Sequence, residues 1–309
     1  MPIIECVPNF SEGRRTEVIT GIIDAVRNSG PIHILDHSSD ADHNRTVLTL
    51  AGGPDAVRGA VETLVRVCVD SIDLTRHRGG HPRMGAVDVV PLVPIRGVDM
   101  KDCIALAREI GAAIAERHQL PVFLYEEAAT AEHRRNLANV RKGEFEGFPD
   151  KITDPDWKPD FGPSRVHPTA GCVAIGARAF LIAYNINLAT ADVEVAKRIG
   201  KAIRHSNGGL RFVKAMGVML EDRGIAQVSI NMTDFTRTPM HRVFEMVRSE
   251  AARYGVSICG SEIVGLVPQD ALLQAAEFYL KLEGFEAGRV FERRLEEVAA
   301  ERGSPPSAR

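Results

Sequence analysis

Residues Thr75 to Gly85 read T-R-H-R-G-G-H-P-R-M-G, and what flanks this run decides the fold. Before it, Val57, Ala60, Val61, Leu64, Val65, Cys68, Val69 and Ile72 recur at helical spacing. Gly53-Pro54 opens that helix, with proline suited to the first helical position. After it comes the mostly apolar run Val87 to Ile95, read as a strand. The run itself fits neither period, because Gly79, Gly80 and Pro82 interrupt it and Arg76, His77, Arg78, His81 and Arg83 are basic. It is therefore a structured loop between a helix and a strand, the place where rigid scaffolds hold their chemistry. His81 precedes Pro82, and proline pushes its predecessor toward an extended backbone. A histidine so restrained can act as a positioned acid or base. On local grounds a merely solvated basic loop carries equal weight.

Working outward, Pro2 to Val7 reads as a strand, Arg15 to Asn28 as a helix on Val18, Ile19, Ile22, Ile23 and Val26, and Ile32 to Asp36 as a strand. His37 to Asn44 is a polar connector and Arg45 to Leu50 a strand. Beyond the basic loop come the strand Val87 to Ile95, a helix Val98 to His118 and a strand Val122 to Glu126. The order is β-α-β-β-α-β plus one αβ unit, and β-α-β-β-α-β is the ferredoxin-like pattern. Thr130 to Asp150 should form short helices. Lys151 to Gly171 is rich in Pro, Asp and Gly and reads as a linker or functional loop.

The second half repeats the element order. It runs strand Phe180–Leu188, helix Thr190–Arg204, strands Val213–Leu220 and Ala226–Thr233, helix Pro239–Tyr254, strand Val256–Val264 and helix Pro268–Leu282. The expected fold is α+β, with two ferredoxin-like subdomains at residues 1–178 and 179–285. Residues 286–309 should be a charged helix and, from Gly303, a disordered tail.

The 309 residues are 44% hydrophobic and 26% charged, enough to build a buried core, and the formal net charge is −3. That charge argues against bulk nucleic-acid or membrane binding, so the basic loop suits a small anionic ligand. Five scattered cysteines without a C-x-x-C pair read as reduced thiols of a cytoplasmic protein. No apolar run reaches membrane-spanning length and no signal peptide is apparent.

Several groupings compete for function. His77 and His81 are four apart, but without a helix they are a poor zinc pair. His37, Asp40, Asp42 and His43 crowd together, yet Arg45 stands where a calcium loop needs glycine, so a polar turn or substrate site is favoured. Asn9 and its neighbours Ser11 and Glu12 sit just past the first strand. Asn185 and Asn187 share one strand face, as do Gln227, Ser229 and Asn231 on another. Such amides can read the edge of a heterocycle or simply face solvent. No Walker loop, dinucleotide fingerprint or G-x-S-x-G elbow is present.

The words E-C-V-P-N-F-S-E-G (Glu5–Gly13), N-R-T-V (Asn44–Val47), H-P-R-M-G (His81–Gly85), P-D-F-G-P-S (Pro159–Ser164), F-L-I-A-Y-N-I-N-L (Phe180–Leu188) and V-G-L-V-P (Val264–Pro268) span nearly the whole chain. In them the sequence resembles glutamate formimidoyltransferases, the formiminotransferase domain of formiminotransferase-cyclodeaminases, in a stand-alone form. The resemblance implies a folate-binding groove or tunnel formed by the two subdomains. It implies transfer of the formimino group of N-formimino-L-glutamate to tetrahydrofolate in histidine breakdown, a step of one-carbon metabolism. It puts the catalytic histidine at His81 and the folate segment at Gly162, Pro163, Ser164, Arg165, Val166, His167, Pro168, Thr169, Ala170 and Gly171. Further substrate contacts are expected from Asn9, Arg45, Arg76, Arg78, Arg83, Asn185, Asn187, Gln227 and Asn231, the arginines as carboxylate clamps. Tetrahydrofolate, which can carry a polyglutamate tail, enters as co-substrate, and no metal is called for. No nucleic-acid or membrane partner is expected, and a homodimer is left open. Two other readings stand beside this one: a formyltransferase or cyclising enzyme using 5-formyltetrahydrofolate, and a non-catalytic folate-binding module.

Overall fold

The computed structural model describes residues 1–303, with side-chain detail through residue 299. The chain forms two compact units that divide between Phe180 and Leu181.

The first unit begins with β1 (Ile3–Cys6) and its short continuation β2 (Asn9–Phe10), then α1 (Thr16–Arg27), β3 (His33–Asp40), β4 (Arg45–Gly52), α2 (Pro54–Ser71) and β5 (Val87–Arg96). It continues with α3 (Met100–His118), β6 (Val122–Glu126), α4 (Leu137–Arg141), α5 (Glu144–Lys151) and β7 (Val173–Ala177). β1 and β2 lie between β4 and β5 and run antiparallel to both, and β3 pairs outside β4. β7 then adds parallel to β5, and β6 parallel to β7.

Alternation along the strands sets the two faces of this sheet. Ile4, Cys6, Leu48, Leu50, Val90, Leu92, Leu124 and Ile175 turn toward the apolar stripes of α1, α2 and α3 and form one core. On the opposite face Val89, Phe123, Tyr125 and Ala174 pack with Val140, Phe148 and Ile152 from the short helices. Helix α3 starts at a reciprocal capping box between Asp99 and Asp102.

The second unit holds β8 (Ile182–Leu188), α6 (Val193–Ile203), β9 (Val213–Leu220), β10 (Ile225–Met232), α7 (Met240–Ala252), β11 (Ile258–Val264), α8 (Gln269–Leu280) and α9 (Phe291–Gly303). Its four strands are antiparallel in the order β11-β8-β10-β9. Tyr184, Ile186, Val228 and Ile230 are buried on one face, and α6 packs on β9 and β10.

Three sequence expectations need correction. The polar residues 37–40 are not a connector but the end of β3, carried by its ladder to β4 as far as the Asp40–Arg45 pair. Val173–Ala177, unassigned from sequence, is a fully buried strand, and its short run of small apolar residues carries no alternation that would mark it. Residues 151–171 do not link the units, since both they and β7 fall within the first. The expected tail is described only at Gly303, the last residue of α9. The rest of it lies outside the described residues.

Candidate functional site

Four stretches of the first unit are tied together by backbone and side-chain hydrogen bonds around the loop that joins α2 to β5. The turn before β4 supplies Asn44, which accepts the Gly13 amide at 2.9 Å and donates to the Arg78 carbonyl at 3.0 Å. Ser11 bonds the Gly85 carbonyl through its hydroxyl and the Ala86 carbonyl through its amide, both at 2.8 Å. The third stretch lies just before β7. Leu74 donates to the Thr169 carbonyl, Ala86 to that of Ala170, and Cys172 to that of Met84. The fourth is the start of α5, where the Phe145 amide donates to the Arg83 carbonyl at 2.9 Å.

The close approach explains three glycines. A Cβ at Gly79 would stand 2.2 Å from the His43 carbonyl oxygen, one at Gly85 1.9 Å from that of Cys172, and one at Gly171 2.2 Å from that of Met84. Gly171 also holds φ +72°, a backbone that side chains resist.

The two histidines of the loop differ in kind. His77 is buried and its Nε2 donates to the Asn44 carbonyl at 2.8 Å, so Nδ1 is the acceptor for Arg83 Nε at 3.2 Å. It braces the knot, and burial lowers its pKa. His81 is half-buried and faces side chains. Its Nε2 lies 2.6 Å from Arg45 Nη1, which can only donate, so the imidazole is neutral with its proton on Nδ1. Burial first, then the charges of Arg45, Arg141 and His43, push its pKa down to about 3 against an opposing backbone hydrogen bond with Pro82. The rings of His43 and His81 meet edge to face at 6.1 Å.

The arginines expected as clamps are used unequally. Arg83 is buried and forks onto Glu146 at 2.8 and 2.6 Å, with Glu144 at 3.2 Å. Its guanidinium is thus committed within the unit. Arg78 folds back on the carbonyls of Thr75 and His77. Arg76 lines a separate cleft of about 360 Å³ with Glu12, Arg15 and Asp73. Arg45 faces His81, and its Nε is buried without a hydrogen-bond partner among the described residues. Asn9 is held in β2, where its amide donates to the Val7 carbonyl at 3.0 Å.

The 162–171 segment divides in two. Ser164 to Pro168 line a cleft of about 340 Å³ with Phe145, Pro149, Ile152 and Thr153. From His167 to Gly171 the chain makes a tight reversal, closed by paired backbone bonds at 3.1 Å, with His167 Nδ1 accepting from the Ala170 amide. That reversal joins the segment to the His81 loop. Upstream, Gly162 holds φ +86° against the Leu120 carbonyl. Asp160, paired with Arg134 at 3.0 Å, accepts the Leu124 amide. Asp40 caps the 41–44 turn by accepting from the His43 amide at 2.8 Å, with His43 Nδ1 at 2.6 Å from its second oxygen. His37 lies on β3.

The amide row belongs to the second unit and is a real cluster there. Gln227 pairs with Asn187 in the ladder and donates to it at 2.8 Å. It also donates to Glu262 at 2.8 Å, as Asn185 does at 3.1 Å. Asn187 and Gln227 are buried and Asn231 is exposed.

Sequence reading missed Glu262, Asp88, Arg141 and Glu5. Glu262 was detectable by its place on an alternating strand, and Asp88 and Glu5 as lone carboxylates in apolar runs. Asp88 is buried, accepts the Met84 amide at 2.9 Å and pairs with Arg141 at 2.5 Å. Glu5 sits on the β1 face opposite Ile4 and Cys6. Burial raises its pKa to about 7, with Arg178 only partly opposing. Nothing in the sequence marks Arg141 apart from other arginines.

Comparison with known proteins adds an independent observation. A family model described as the formiminotransferase domain, N-terminal subdomain, matches residues 3–178, and one described as the formiminotransferase domain matches 183–298. The glutamate formimidoyltransferase of Streptococcus pyogenes serotype M1 is 48% identical over 284 residues, 92% of this chain and 95% of that protein. That of Thermoplasma acidophilum is 45% identical over 301 residues, 97% of this chain and 99% of that protein. The formimidoyltransferase-cyclodeaminase of Gallus gallus is 45% identical over 287 residues, covering 91% of this chain and 53% of that protein.

Proposed function

The chain belongs to the formiminotransferase family, and on that premise we propose that it is a glutamate formimidoyltransferase. It moves the formimino group of N-formimino-L-glutamate to tetrahydrofolate, giving 5-formiminotetrahydrofolate and L-glutamate. The observation that carries this reading is the neutral, half-buried His81 beside Arg45, tied by backbone bonds to the 167–171 reversal. An uncharged imidazole is the form that accepts a proton.

In the reaction, the folate amine nitrogen attacks the amidine carbon to form a tetrahedral intermediate. His81 takes the proton that this nitrogen must lose. It returns the proton to the glutamate nitrogen as the carbon–nitrogen bond to glutamate breaks. Holding both substrates together supplies the orientation term. Tetrahydrofolate is a co-substrate, and the steps as written ask for proton transfer alone.

The finer structural reading is part of the same proposal. Each unit is ferredoxin-like, supported by the strand orders β3-β4-β1-β5 and β9-β10-β8-β11. The subdomain limit near residue 178 is supported by the division at Phe180 and by the spans of the two family models, while the further limit at 285 is kept as part of the proposal although the second family model runs on to residue 298. The 162–171 segment contributes to folate binding, a role supported by the cleft of about 340 Å³ that Ser164 to Pro168 line. The amide row of the second unit is retained as a substrate contact, supported by its buried polar side chains. A cytoplasmic location is part of the same proposal; among the described residues no helix is long and apolar enough to cross a membrane. A homodimer is retained as the assembly to be read by sedimentation.

His81→Ala tests the assignment of the acid–base group. Turnover should fall about a hundredfold or more while tetrahydrofolate binding largely survives. Near-wild-type turnover would remove His81 from the mechanism.

A further inference from the structure

Arg45 is the unusual cation of the crevice. Arg83 beside it is neutralised by Glu146 and Glu144, and Arg141 pairs with Asp88. His43 leans on Asp40. Arg45 forms its hydrogen bond with the neutral His81 ring. Burial first, then the nearby Arg141 charge, lowers the pKa of Arg45 against the opposing charges of Asp88 and Asp40. The Nε atoms of both Arg45 and Arg141 are buried without hydrogen-bond partners among the described residues. Two guanidiniums with unused donors flanking an imidazole are shaped for an oxyanion, and a carboxylate accepts such forks bidentately.

The same contact silences His81. Its Nε2 lone pair is occupied by Arg45, and the space among Ser11, His43, Arg45, His81 and Asp88 leaves no volume even for a water molecule. A proton cannot reach Nε2 until Arg45 moves.

We propose that Arg45 and Arg141 bind one carboxylate of the glutamyl substrate, and that this carboxylate draws Arg45 off His81 and so frees Nε2 for proton transfer. The inference rests on the formimino-transfer reading above. It makes Arg45 a latch: base and substrate are coupled, and the imidazole becomes competent only when the anion is in place. No bond is made or broken in the step. One hydrogen bond, from the Arg45 guanidinium to the neutral imidazole, is exchanged for bonds between opposite charges that a carboxylate can accept bidentately. The charged neighbours of His81 that set its response are Arg45 on β4, His43 in the turn, Arg141 on α4 and, behind Arg141, Asp88 on β5.

The test uses the full chain, with Arg45→Gln, Arg141→Gln and the charge-keeping Arg141→Lys. The KM for N-formiminoglutamate should rise tenfold or more in both glutamine variants and less in Arg141→Lys, with the KM for tetrahydrofolate unchanged. By 15N NMR of the ring, saturating glutarate or L-glutamate should shift the His81 Nε2 resonance in wild type and raise the pH at which the ring titrates. In Arg45→Gln the ligand-free ring should already titrate at the higher pH and respond little to glutarate. Wild-type KM values in both glutamine variants, or a His81 resonance indifferent to glutarate, would overturn the latch while leaving formimino transfer intact. Saturable glutarate effects on His81 in a protein that releases no glutamate from N-formiminoglutamate would do the reverse.

Discussion

Replacing Arg83 with alanine separates two roles for the most buried arginine of the basic loop. As a substrate clamp, its loss would raise a KM. The structure gives it a different task, because its fork holds Glu146 at 2.8 and 2.6 Å and its Nε donates to His77 at 3.2 Å. Glu146 and Glu144 are 61% and 45% exposed, so screening limits the ion pairs to about 1 kcal/mol. At the buried end His77 Nδ1 loses its donor, which costs a further 1–2 kcal/mol or so. The sum, about 2–3 kcal/mol, lowers Tm by roughly 3–5 °C in a protein of this size. Glu146→Gln, which keeps the Arg83–His77 bond, should cost at most about 1 kcal/mol.

The pH dependence has a defined sign. The hydrogen bond from Arg83 is the leading cause that holds the Glu146 pKa below its ordinary 4.5. The pair therefore contributes above that value and is lost as pH falls through the depressed one, and the gap between wild type and Arg83→Ala narrows in acid. Thermal unfolding with steady-state kinetics is the assay. Turnover should drop as the loop loosens, with the KM for N-formiminoglutamate within about threefold of wild type. An unchanged Tm together with a tenfold higher KM would refute the bracing role.

Two further outcomes follow from the same geometry. Gly171→Ala combines φ +72° with a Cβ 2.2 Å from the Met84 carbonyl, and should cost about 2 kcal/mol or more in urea unfolding while detaching the 162–171 segment from the His81 loop. Glu5, raised by burial from 4.5 to about 7, contributes stability that is complete below 4.5 and lost as pH rises through about 7. Wild type should therefore lose about 2 kcal/mol relative to Glu5→Gln between about pH 5.5 and pH 8.5, read as a difference in Tm. A pH-independent difference would show that Glu5 is ionised throughout.

The helices were legible because their apolar stripes are regular. Ile19, Ile22, Ile23 and Val26 on α1 are all buried, as the spacing required. β7 was not, since Val173–Ala177 is buried on both faces and so carries no alternation. At the site, the identity of the loop was readable from its glycines and from Pro82, but the division of labour within it was not. His77 and His81 look alike in one dimension, and only the Asn44 carbonyl, 33 residues away, makes one a brace. The arginines behave likewise: which is neutralised depends on Glu146 and Asp88, brought in from α5 and β5. Long-range partners decide charge, and local sequence does not contain them.

Release of L-glutamate from N-formimino-L-glutamate by the purified protein, measured with and without tetrahydrofolate, bears most directly on formimino transfer at the His81 site. Glutamate should appear only with tetrahydrofolate, in equal amount to 5-formiminotetrahydrofolate, and should nearly vanish in His81→Ala. No tetrahydrofolate-dependent release, or faster turnover of 5-formyltetrahydrofolate, would contradict it.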